Sequence, residues 1–177
     1  LAARGLDPAL FDGSDALLRS LGLARPVQVV PAGAPAPRDP KAGPPALEPG
    51  DAVAGLLVWG DVQLAATGTV TWRDGEKILA FGHPFMGTGR AEIPFAPAEI
   101  AWTVPSLLSS FKISNVGVPA GTMTQDRLTA VSGAIGPVPA GLPVALAIRR
   151  TDETAVTRSF SVAKDPLIAP QLVDLAL

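Results

Sequence analysis

Residues 62–85 read VQLAATGTVTWRDGEKILAFGHPF, and the reading of this stretch decides the fold class. From Val62 to Trp72 it is rich in Val, Leu, Thr and Trp, with Thr67, Thr69 and Thr71 alternating against Val70 and Trp72, the period of a half-buried strand. Asp74-Gly75 follows, and both residue types tolerate the positive φ that a tight hairpin demands. Lys77–Phe81 then reads as the returning strand. His83, the single histidine of the chain, stands just past its end between Gly82 and Pro84, which fix the local backbone.

Working outward, the same signal repeats. Ala52–Val58 precedes this hairpin, and Ala91–Phe95, Glu99–Val104, Phe111–Asn115, Gly121–Asp126, Leu128–Gly133, Val144–Arg150 and Thr157–Val162 follow it as candidate strands. The last two flank the polar turn Thr151–Ala155 as a second hairpin. With 18 Gly and 19 Pro in the chain, most turns have an evident cause, and short strands at this spacing predict an all-β barrel or sandwich. The end departs from the pattern. Asp165-Pro166 before Leu167, Ile168, Leu172, Val173 and Leu175 predicts an N-cap, a proline at the first helical position and an amphipathic helical turn.

Upstream, residues 7–22 carry Leu10, Phe11, Leu17, Leu18 and Leu21 between an Asp7-Pro8 start and a Gly22 stop, which fits one broken helix or two short ones. Eight prolines between Pro26 and Pro49 favour an extended connector. The expected organisation is therefore an N-terminal helical segment over 1–25, a Pro-rich linker over 26–46 and a β domain over 47–177.

Composition removes several function classes. An apolar fraction of 47% over 177 residues suffices for a core. A net charge of −2 without any run of like charges gives no electrostatic reason to expect nucleic acid or an anionic membrane as partner. Uncharged stretches such as Ile100–Phe111 are interrupted by Pro, Ser and Thr and fall short of the roughly 20 apolar residues of a membrane span. The absence of cysteine excludes disulfides, thiolate nucleophiles and Cys-ligated zinc, and one histidine excludes a multi-His metal site within one chain. No glycine-rich piece has phosphate-cradling spacing, so neither metal nor cofactor is expected. The chain opens at Leu1 with no methionine and no leader, and so reads as a piece of a longer polypeptide.

His83 is the candidate for general-base work, because an imidazole titrates near neutrality and a strand end is where a rigid scaffold can aim a side chain. The plainer reading is a turn histidine that bonds its own loop. A base needs a carboxylate to hold its tautomer, and Asp126 and Asp165 stand out by local context. Asp126 reads equally as a partner of Arg127 or a turn contact, and Asp165 as a helix cap. No serine lies in a nucleophile turn; Ser109, Ser110 and Ser132 come nearest, and each reads as lying within or beside a strand.

Several segments, in order, resemble the SpoIVB serine peptidase family. They are Leu47-Glu48-Pro49-Gly50-Asp51-Ala52-Val53, Ala66-Thr67-Gly68-Thr69-Val70-Thr71, Asp74-Gly75, Leu79-Ala80-Phe81-Gly82-His83-Pro84-Phe85, Ser109-Ser110-Phe111-Lys112, Gly121-Thr122-Met123-Thr124-Gln125-Asp126-Arg127 and Asp165-Pro166-Leu167. The resemblance covers about residues 47–177 and implies a chymotrypsin-like β-barrel peptidase with a Ser-His-Asp triad. Under it, His83 is the base, and Asp165 in Lys164-Asp165-Pro166 is the orienting carboxylate, preferred over Asp126.

The family nucleophile stands in Gly-Met-Ser-Gly-Ser-Pro, which these 177 residues lack. The Pro-Phe after His83 is more similar to large bacterial members that carry the serine segment upstream. The resemblance thus implies the His/Asp-bearing part of a two-barrel endopeptidase, inactive alone. It would act outside the cytoplasm on a peptide or protein substrate, with the serine supplied by the remainder of its own polypeptide. The rival expectation is a non-catalytic β-barrel that binds peptides or scaffolds a larger bacterial envelope protein.

Overall fold

A computed structural model describes residues 2–4, 30–31, 46–105, 107, 110–149 and 155–176. The hairpin around Gly75 forms where the sequence places it: β4 (Gln63–Asp74) returns as β5 (Lys77–Ala80), with Asp74 opposite Lys77 and Gly75 at φ +57°. The remaining strands are β1 (Ala2–Arg4), β2 (Val30–Pro31), β3 (Ala52–Gly60), β6 (Gly89–Val104), β7 (Phe111–Val116), β8 (Gly121–Asp126), β9 (Val131–Ile135), β10 (Leu142–Arg149) and β11 (Ala155–Val162). Among the described residues one helix, α1, spans Ala169–Ala176.

The fold is all-β, with 61% of the described residues in strands. Six antiparallel strands in the order β3-β6-β8-β9-β5-β4 close on themselves through a β3–β4 ladder, so the barrel has no free edge within it. Its interior is apolar: Val53 of β3, Val70 of β4, Ile78 and Ala80 of β5, Ile93 and Phe95 of β6, Met123 of β8, and Val131 and Ile135 of β9 pack together. The opposite face of β3 is covered as well, with Ala54 and Leu56 meeting Ala65, Ala96 and Val116. Burial on both faces explains why β3 reads as a continuous apolar run rather than an alternation.

Two expected strands, Ala91–Phe95 and Glu99–Val104, are one. β6 continues through Pro94 and Pro97 while changing partners, from β8 at Gly89–Phe95 to β3 at Phe95–Pro97 and to β7 at Ala98–Val104. The prolines stand at these exchanges, where the loss of a donor interrupts the ladders least. The second hairpin is in place, with Arg149 opposite Ala155, and it pairs with the barrel through Phe160–Val162 of β11 against Val58–Gly60 of β3. The turn residues 150–154 lie outside the described residues.

The helix expected over 7–22 also lies outside the described residues, as does most of the 26–46 linker. Two short strands depart from those expectations: Ala2–Arg4 pairs antiparallel with Gln63–Ala65, and Val30–Pro31 pairs parallel with Ala2–Ala3. At the C-terminal end the capping contact of Asp165 is as expected, but it closes a turn over residues 166–168, and the helix itself begins at Ala169. Asp165 Oδ1 accepts the Leu167 N–H at 2.9 Å, its carbonyl accepts the Ala169 N–H at 2.8 Å, and Ile168 and Leu172 seat α1 against Leu57, Val58, Phe160 and Val162. Among the described residues no helix is long and apolar enough to cross a membrane.

Close strand packing fixes Gly121. A Cβ there would overlap the carbonyl oxygen of Ala134 on β9 and come within 2.8 Å of Phe95 Cε1, and a backbone oxygen in a ladder cannot yield as a flexible side chain can. Gly121→Ala is expected to destabilise the barrel by about 3 kcal/mol, measured from urea unfolding midpoints.

Candidate functional site

The segment 81–88 carries the chain from β5 to β6, passing over β9 and β8, which lie between them in the barrel. It leaves β5 abruptly. Phe81 and Gly82 adopt φ of +72° and +69°, and for a phenylalanine that is a strained conformation held by its surroundings. Two contacts hold it: the Phe81 N–H donates to the Thr69 carbonyl at 3.0 Å, and the ring lies on Gly68, where a Cβ would stand 2.6 Å from Cδ1. Gly68 of the Gly-Thr-Val-Thr run is therefore the floor on which the strained residue rests.

Phe85 anchors the far side of the turn. Its ring packs edge-on to Phe81 with centroids 5.3 Å apart and covers Gly55, where a Cβ would sit 2.8 Å from Cζ. Phe85 and Met86 pack into the apolar cluster that also holds Ile168 and Leu172 of α1. The histidine loop and α1 thus share one apolar foundation.

Asp126, at the end of β8, binds the loop from below. Its side chain is buried, with the residue 2% exposed, and its carboxylate collects consecutive main-chain donors: Phe85 N–H to Oδ1 at 2.7 Å, then Met86 and Gly87 N–H to Oδ2 at 2.7 and 2.6 Å, with Thr88 at 3.4 Å. Successive N–H groups converging on one anion form a nest, here filled by the protein's own carboxylate. Arg127 does not pair with Asp126; it turns to Gln125 Oε1, with Nη2 at 2.6 Å. The plain readings of Asp126 as a partner of Arg127 or as a local turn contact both give way to a long-range clasp.

His83 is exposed at the crest of this loop, its ring edge-on to Phe81 at 6.0 Å. Its Nδ1 lies 2.7 Å from the Pro84 carbonyl oxygen. A carbonyl oxygen only accepts, so Nδ1 carries the proton and, in the neutral ring, Nε2 is the basic nitrogen. That is the tautomer a general base requires.

The structure does not join His83 to either aspartate by a hydrogen bond among the described residues. Asp126 acts on the loop, and Asp165 uses Oδ1 for the helix cap while its Oδ2 has no donor among the described residues. Ser132 lies within β9, half-buried and paired with Leu79 and Gln125, and Ser110 lies immediately before β7; Ser109 is outside the described residues. No three His, Cys, Asp or Glu groups gather into a metal site among the described residues.

Comparison with known protein families, with curated proteins and with solved structures found no match to this chain.

Proposed function

We propose that the chain is the His/Asp-bearing barrel of a SpoIVB-type serine endopeptidase acting outside the cytoplasm, with His83 as the general base for a serine carried elsewhere in the same polypeptide. The observation that carries this reading is the state of His83: an exposed imidazole whose Nδ1–H donates to a carbonyl and whose Nε2 has no hydrogen-bond partner among the described residues, set on a loop tied down at one end of a closed six-stranded barrel. A six-stranded antiparallel barrel is also the form that the chymotrypsin-like resemblance expects. Asp165 is the proposed orienting carboxylate, and its Oδ2, which has no donor among the described residues, supports that role.

In such a division of labour, one barrel supplies base and aspartate, and the other the nucleophile with its oxyanion donors. The test is a serine-directed fluorophosphonate probe applied to the full polypeptide that contains these residues. Covalent labelling of a serine in a Gly-Met-Ser-Gly-Ser-Pro segment, lost in His83→Ala, is the expected result. A full polypeptide that has no such segment, or has one that stays unlabelled, overturns the peptidase reading and leaves a peptide-binding or scaffolding barrel.

A further inference from the structure

We propose that Asp126 is a positioning residue for His83, acting through the Pro84–Phe85 peptide group. The inference rests on the reading of His83 as the base, and it concerns what prepares that base within this chain, before any second barrel is docked. Two hydrogen bonds share one peptide unit. The Pro84 carbonyl accepts from His83 Nδ1 at 2.7 Å, and the N–H on the other side of the same amide, that of Phe85, donates to Asp126 Oδ1 at 2.7 Å. The peptide bond is trans, so its C=O and N–H point in opposite directions, and the amide stands between carboxylate and imidazole as a rigid, planar connector.

Such a chain of hydrogen bonds polarises itself. A carboxylate pulling on the N–H raises negative charge on the carbonyl oxygen, which strengthens its hold on Nδ1–H and favours the tautomer with a basic Nε2. Asp126 thereby does at one amide's remove what a triad aspartate does directly. Geometry supports the same role. Gly82, Gly87 and Gly89 all have φ between +69° and +81°, so the loop sequence by itself is permissive, and the converging donors on Asp126 are what select one path for it.

The presence of a single histidine makes the test direct, since every imidazole signal belongs to His83. Long-range proton–nitrogen NMR on the 177-residue chain, at a pH where the ring is neutral, is expected to find the Nδ1–H tautomer dominant and the Phe85 amide slow to exchange. In Asp126→Asn, where an amide NH₂ must face at least one of the N–H donors, the ring nitrogens are expected to shift toward a mixture with the Nε2–H form, with the dispersed amide signals of the barrel strands retained. Unchanged ring nitrogen shifts in the folded variant would overturn the proposal. So would a dominant Nε2–H tautomer or a rapidly exchanging Phe85 amide in the unmodified chain, and these two readouts stand even where the variant does not fold. Neither measurement involves a serine or a substrate, so failure of the fluorophosphonate test and failure of this one are separate events.

Discussion

His83→Ala is expected to lower peptide hydrolysis by the serine-bearing polypeptide by about five to six powers of ten while leaving the barrel's unfolding midpoint almost unchanged. The rate term follows from the way triad members act as a unit: without the base the serine keeps its proton, and what survives is the contribution of oxyanion donors and substrate binding. The stability term follows from exposure. His83 sits exposed at the crest of the loop, its one polar contact among the described residues is with the neighbouring residue, and the strained backbone beneath it is held by Phe81 on Gly68 and by four main-chain donors to Asp126, all of which an alanine at 83 leaves in place. Substitution at such a surface position changes stability by about 0.5 kcal/mol or less. Rate assays beside thermal unfolding check both halves. A variant that hydrolyses peptides at the original rate would sink the base assignment.

The contrast between what the sequence revealed and what it hid has a physical origin. Turns are local: the Asp74-Gly75 turn and the Asp165 capping contact depend on neighbours a few residues away, and both form where expected, whereas the alternation in 67–72 holds only as far as Val70, because a bulge between Val70 and Trp72 leaves Trp72 46% exposed. In the sequence β6 reads as two strands because Pro94 and Pro97 are breakers in isolation, whereas a strand that exchanges partners beside them accommodates both. The role of Asp126 was out of reach for two reasons. Its donors lie 38 to 41 residues away, and a bulge between Met123 and Gln125 resets the alternation so that burial passes from Gly121 and Met123 to Asp126 rather than to Gln125. Gly55 and Gly68 were equally opaque, because the rings that need them come from the other side of a turn. What was legible of the site is the place of its histidine; the apparatus that holds the histidine is tertiary.

Asp165→Asn is the second large effect, with an expected loss of about four powers of ten in hydrolysis at nearly constant stability. The two halves separate because Asp165 has two duties on two oxygens. Oδ1 caps the turn that leads into α1 by accepting the Leu167 N–H at 2.9 Å, and asparagine caps about as well as aspartate, so that turn, α1 and the Ile168 and Leu172 contacts are expected to persist. Oδ2 is the group proposed to face the imidazolium, and asparagine brings no charge to it. Asp165→Ala removes both duties, and its additional loss of about 1 kcal/mol in stability identifies the cap. The Pro84 carbonyl that holds Nδ1 in this chain is uncharged, so the charge that stabilises a protonated ring during catalysis must come from a carboxylate, and the choice lies between Asp165 and, one peptide away, Asp126. If Asp165→Asn keeps the original rate while Asp126→Asn loses it, the orienting carboxylate of this barrel is Asp126, and the Asp-Pro segment is a helix cap and nothing more.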